Sequence, residues 1–107
     1  MAIFTNTFRN KNNPDDIVIA GEITESLIAE VVGVFYEYGA TLVSVSRYNK
    51  FPLDKTSTDL MTSLTVAING RTYTAIMRDY IVWEETEFGE VVYPTDRQTF
   101  QNTYEVV

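Results

Sequence analysis

Hydrophobic positions along the chain change their period once, and that change sets the expected architecture. From Glu25 to Tyr38 they recur at steps of three and four: Leu27, Val31, Phe35 and Tyr38 form one stripe, widened by Ile28 and Val32, with Glu25, Glu30 and Glu37 outside it. This spacing predicts an amphipathic helix. Thr24 stands at its N-cap, Ile23 and Ile28 stand at the spacing of a hydrophobic staple, and Gly39 stands where a left-handed residue stops a helix.

Beyond Gly39 the period drops to two. Thr41 to Tyr48 alternates and is rich in β-branched residues, which predicts a strand. Leu60–Ile68 and Arg71–Met77 read as a hairpin around Asn69-Gly70, a dipeptide that accepts the positive φ angles of a type I′ turn. A two-residue turn pairs Ile68 with Arg71, Val66 with Tyr73 and Leu64 with Ala75. One face then carries Leu64, Val66, Ile68, Tyr73, Ala75 and Met77, and that face is expected to lie on the helix. Tyr80–Glu84 and Glu90–Tyr93 predict a second hairpin through Thr86-Glu87-Phe88-Gly89. Pro94 is expected to end its second strand, because proline cannot donate to a ladder. Thr95 and Gln98 fit a capping box over one helical turn, and Tyr104 to Val107 reads as an edge strand.

Before the helix the pattern is weaker. Residues 1–16 read as an N-terminal arm anchored by Phe4 and Phe8, Ile17–Ala20 as a short strand, and Gly21 as a point of redirection. Residues 49–57, with Pro52, read as a loop. The sum is a single α+β domain over 1–107: one amphipathic helix packed on a bent antiparallel β-sheet or small open barrel.

Composition narrows the chemistry by exclusion. The 107 residues contain no cysteine and no histidine, so thiolate metal sites, disulfides and Ser-His-Asp or zinc-hydrolase chemistry cannot be built from them. A net charge of −7 opposes non-specific binding to nucleic acid or anionic membrane and permits attraction to a basic partner. No apolar run is long enough to span a bilayer, and no leader pattern opens the chain, which sets the cytosol as the expected compartment.

The last two-thirds carry an ordered series of short pieces. Leu64–Ile68, Asn69-Gly70 and Arg71–Ile76 come first, then Asp79-Tyr80-Ile81-Val82, Gly89-Glu90, Tyr93-Pro94, Phe100 and Thr103-Tyr104-Glu105. In this order they resemble a family of small tailed-phage and prophage proteins with a Gly-Asp-Tyr hairpin. Met77-Arg78 stands where that family has Pro-Gly, so a turn that elsewhere relies on glycine is built here on Arg78. The second hairpin also carries extra acids, Glu84, Glu85 and Glu87. The resemblance implies a phage gene product acting in the host cytoplasm, and it brings no catalytic residues with it.

Candidate chemistry concentrates in the second hairpin. Asp79, Glu84, Glu85, Glu87 and Glu90 place five carboxylates within twelve residues, beside Trp83 and Phe88. Such a hairpin imitates DNA phosphates and fits a basic groove on another protein, with fast, salt-sensitive association. The competing reading is a solvated hairpin whose charges guard a sheet edge. Calcium ligation is disfavoured because the acids lack the regular oxygen spacing and glycine turn of a calcium loop. Asp79 and Glu90 are a formal pair for acid-base chemistry across the hairpin, but nothing supplies the apolar pocket needed to raise one pKa.

The expectation is therefore a non-enzymatic binding protein without metal or cofactor, an accessory or anti-defence factor. Trp83, Glu84, Glu85, Glu87, Phe88 and Glu90 are its contact residues for a host protein with a basic surface, with no direct nucleic-acid or membrane binding. Two alternatives stand beside it. One is a virion structural or assembly component forming a homo-oligomer through strand edges. The other is a small-ligand binder with a pocket between helix and sheet lined by Tyr36, Arg47 and Tyr73.

Overall fold

The structure, a computed structural model, describes residues 3–49 and 60–107. Strand β1 (Asn6–Asn10) turns tightly into β2 (Asn13–Glu22), and a 3-10 turn (Glu25–Leu27) leads into helix α1 (Ile28–Glu37). Three strands follow, β3 (Ala40–Asn49), β4 (Leu60–Ile68) and β5 (Arg71–Ile76). Then come β6 (Tyr80–Thr86), β7 (Gly89–Thr95), helix α2 (Arg97–Thr103) and β8 (Tyr104–Val106). The class is α+β. Instead of one bent sheet or open barrel there are two antiparallel sheets, in the orders β7-β6-β2-β1-β8 and β3-β4-β5. No helix among the described residues is long and apolar enough to cross a membrane.

The β4–β5 hairpin has the expected register: Ile68 faces Arg71, Val66 faces Tyr73 and Leu64 faces Ala75. Asn69 and Gly70 both take positive φ, 52° and 78°, as a type I′ turn requires. The loop expected over 49–57 lies outside the described residues beyond Asn49, which ends β3. The helix begins differently from expectation. Its first turn is 3-10, and the Thr24 hydroxyl lies 3.2 Å from that of Ser26 instead of capping a backbone amide. Gly39, at φ 99°, does end the helix.

Residues 6–10, expected within an arm, form a strand paired on both sides, with β2 and with β8. The segment before it is anchored as well, since Ile3 is fully buried. Gly21 explains how. A Cβ built there would stand 1.4 Å from the Ile3 carbonyl oxygen, so only glycine lets the two backbones pass. Gly21 is thus a residue inside β2 that permits a close crossing, not a point where the chain redirects. Pro94 likewise does not end its strand. It pairs with Ile81 inside β7, and β7 is an edge strand, where a missing amide donor is tolerated.

Two buried clusters lie on opposite faces of the five-stranded sheet. One gathers Val31 and Phe35 of α1, Leu64 and Val66 of β4, and Ile81 and Val92 of β6 and β7. The other is aromatic. Phe100 of α2 meets Phe8 edge-on at 4.9 Å and stacks on Tyr80 and Tyr104 at 4.3 and 5.1 Å, over Val18 and Val82. Such contacts add about 0.5–1.5 kcal/mol each beyond the area they bury. Asp96 caps α2, accepting from the Thr99 amide at 3.1 Å, one residue beyond the expected Thr95.

Candidate functional site

The β6–β7 hairpin positions the candidate residues by strand alternation. Glu85 pairs directly with Glu90, Thr86 with Gly89, and a two-residue turn of Glu87 and Phe88 closes the ribbon. The turn is tied from within. The Thr86 hydroxyl donates to the Gly89 carbonyl at 2.8 Å and accepts from the Phe88 amide at 3.2 Å. Gly89 takes φ 112°, open to glycine and costly for other residues. Phe88 stands at the tip with 91% of its surface exposed, the most exposed large apolar side chain among the described residues.

Glu85, Glu87 and Glu90 are exposed and have no ion-pair partner among the described residues. Like charges placed directly opposite in a ladder repel, at a cost of a few tenths of a kcal/mol. Trp83 lies two residues before Glu85 on the same face, half-buried and packed against the main core, so it supports the patch more than it forms it. Ile17, which sequence reasoning passed over, is 46% exposed and belongs to the same face. It sits two residues from Ile19, the cross-strand partner of Trp83. Only the cross-strand register reveals it.

Glu84 faces the other way. It is half-buried and accepts a hydrogen bond from the Tyr93 phenol at 3.0 Å. Nearby the Tyr104 phenol donates to Asp16 at 3.1 Å, and Asp16 also accepts from Asn10 at 3.2 Å. Burial, then the Glu84 carboxylate, pushes the Tyr93 phenol well above its ordinary range. Burial, then Asp16, pushes Tyr104 up to about 12. The network closes one end of the aromatic cluster, and its hydroxyls have internal acceptors.

Asp79 leaves the acidic run altogether. It is 7% exposed, and its carboxylate accepts the amides of Ile76 at 2.9 Å and Arg97 at 3.1 Å. The main chain around it docks on Ile23: Arg78 donates to the Ile23 carbonyl at 2.7 Å, and Ile23 donates to the Asp79 carbonyl at 2.8 Å. Asp79 is a structural tie between the β5–β6 turn and the start of α2. It cannot meet Glu90, because Tyr80 pairs with Thr95 at the hairpin base while Glu90 pairs with Glu85 near the tip. The acid-base pairing of Asp79 and Glu90 is thereby excluded on geometry. Arg78 holds φ 75°, as expected for a residue standing where glycine would be easier.

Two of the three residues expected around a helix–sheet pocket, Tyr36 and Arg47, are engaged by the protein's own groups. The Tyr36 hydroxyl accepts from the Val43 amide at 3.1 Å, and Arg47 pairs with Glu25 at 3.4 Å. Glu25 also accepts from the buried Thr62 hydroxyl. No group of three or more acidic side chains among the described residues is arranged to hold a metal ion. No protein-family model matches the chain, and no curated protein or solved structure matches it.

Proposed function

We propose that this chain is a non-enzymatic, phage-encoded binding protein that occupies a basic surface on a host protein through the tip of its β6–β7 hairpin. The observation that carries the reading is Phe88, almost wholly exposed on a braced two-residue turn, with Glu85, Glu87 and Glu90 around it and none of the three in an ion pair among the described residues. An exposed aromatic ring weakens solubility, and a facing Glu85–Glu90 pair weakens the ladder. Features that work against the isolated fold gain their reason at an interface. There the ring fills a pocket and the carboxylates meet cations.

Glu85, Glu87, Phe88 and Glu90 make the contact, with Ile17 and Trp83 extending it along the sheet. Glu84 acts from behind by holding Tyr93. In this reading α1 lies packed over the sheets, giving the hairpin a stiff base. Stiffness lowers the ordering cost of binding. The carboxylates stand in for phosphates, so the partner is a host protein that ordinarily binds nucleic acid in the cytoplasm.

Capture from host lysate with the immobilised chain tests this reading. At about 0.1 M salt a basic protein should be retained, and excess duplex DNA should release it. Retention should fall sharply near about 1 M salt, where the screening length drops from about 10 Å to about 3 Å. Retention indifferent to both DNA and salt would reject electrostatic mimicry. An apolar edge favours a second reading, self-assembly: Leu42 and Val45 of edge strand β3 are 55% and 43% exposed. Mass in solution that rises with protein concentration would support it.

A further inference from the structure

A cavity of about 440 Å³ opens where the β5–β6 turn meets the start of α2, at the base of the β6–β7 hairpin and away from its tip. Its volume falls in the range of small-molecule sites, about 300–1,000 Å³. Ile76, Met77 and Arg78 line one side, and Arg97, Gln98, Gln101 and Asn102 line the other. The chain has eight basic side chains against fifteen acids, and two of those eight stand here.

The acids of the cavity are largely occupied by the protein itself. Both carboxylate oxygens of Asp79 accept backbone amides, at 2.9 and 3.1 Å. Asp96 gives one oxygen to the amide and hydroxyl of Thr99, at 3.1 and 3.3 Å. The cations are less committed. Arg78 uses Nε on Glu22 at 3.1 Å, its side chain stays 64% exposed, and its two terminal nitrogens have no acceptor among the described residues. Arg97 has no ion pair among the described residues. The lining therefore offers more donors than acceptors.

Arg78 adds a second line of argument. It holds φ 75°, a region that disfavours any residue with a Cβ, in a turn where glycine would be relaxed. Strain of this kind gathers where a side chain has to be aimed.

We propose that this cavity binds a small molecule carrying one oxyanion group, a phosphate monoester or a carboxylate, on a short apolar body. The guanidinium groups of Arg78 and Arg97 hold the oxyanion, since their planar forks match two oxygens at once. Gln98, Gln101 and Asn102 supply neutral donors, and Ile76 and Met77 meet the apolar part. This site is independent of the hairpin tip.

Amide NMR spectra of the full chain, titrated separately with phenyl phosphate, benzoate and benzyl alcohol, test the proposal. At least one of the two anions should shift the Arg97, Gln98 and Gln101 amides saturably, and benzyl alcohol should not. Saturation by phenyl phosphate alone identifies a phosphate site, and by benzoate alone a carboxylate site. Arg97→Gln retains the backbone amide that Asp79 accepts and should weaken binding by about tenfold or more, the loss of a charge-assisted hydrogen bond. Arg78→Lys, read by the same shifts, should weaken it as well and serves if the first variant folds poorly. Absence of saturation with both anions, an equal response to benzyl alcohol, or unchanged affinity in a folded variant would overturn the site.

Discussion

Asp79 shows how one side chain can be read as surface charge and turn out to be a joint. Its carboxylate is buried and accepts two main-chain amides from segments eighteen residues or fewer away in sequence, Ile76 and Arg97. Asp79→Ala leaves both amides without a partner and should cost about 2–4 kcal/mol, whereas Asp79→Asn keeps one acceptor and should cost less. Urea unfolding at constant m-value measures both. The phenols of Tyr93 and Tyr104 set a pH limit. Each is held protonated in the folded state, with Tyr104 raised to about 12 from an ordinary value of 10.0. A folded pKa above the unfolded one means stability fully present below about pH 10 and lost as pH climbs through the folded value. Thermal melts should therefore be flat across this source of pH dependence up to about pH 10 and fall above it. Phenolate absorbance should show Tyr93 and Tyr104 ionising above the ordinary phenol value of 10.0. Tyr104→Phe should remove its share of the fall.

At the scale of elements, what the sequence discloses is what neighbours in sequence decide. The β4–β5 register was legible because Asn69-Gly70 fixes it locally, and α1 was legible because its stripe has one period. The first hairpin was not. β1 buries only Phe8 among polar neighbours, so no alternation marks it, and its strand status comes from β2 and β8 on either side. The division into two sheets was equally hidden. It depends on β2 pairing with β6 across some sixty residues, a choice no local pattern records. The aromatic cluster around Phe100 followed from that pairing, which brings Phe8, Tyr80 and Tyr104 to one face. Gly21→Ala tests how the N-terminal segment joins the sheet. The Cβ would collide with the Ile3 carbonyl, and a loss of about 3 kcal/mol or more is expected in the same urea experiment. Gly33 of α1, where an added methyl group would meet nothing within 4 Å, is the control, and Gly33→Ala should stabilise by about 0.5–1 kcal/mol.

The molecule as a whole is elongated, 49 × 28 × 24 Å, and its chemistry is divided along β6. The acidic tip stands at one end of that strand and the arginine-lined cavity at the other. The sequence showed the acids but not their directions. Alternation turns Glu84 toward Tyr93, burial removes Asp79, and the register brings Ile17 to the face that Glu85 occupies. The remaining patch of Glu85, Glu87, Phe88 and Glu90 is small and exposed, and substitution there should leave stability within about 0.5 kcal/mol. Binding and folding are thus separable. The decisive measurement is parallel capture from host lysate, at about 0.1 M salt, by the native chain and by a variant carrying Glu85→Gln, Glu87→Gln, Phe88→Ala and Glu90→Gln. A basic protein held by the native chain and absent from the folded variant is the predicted result. Equal recovery on both, or no protein that distinguishes them, would contradict the account.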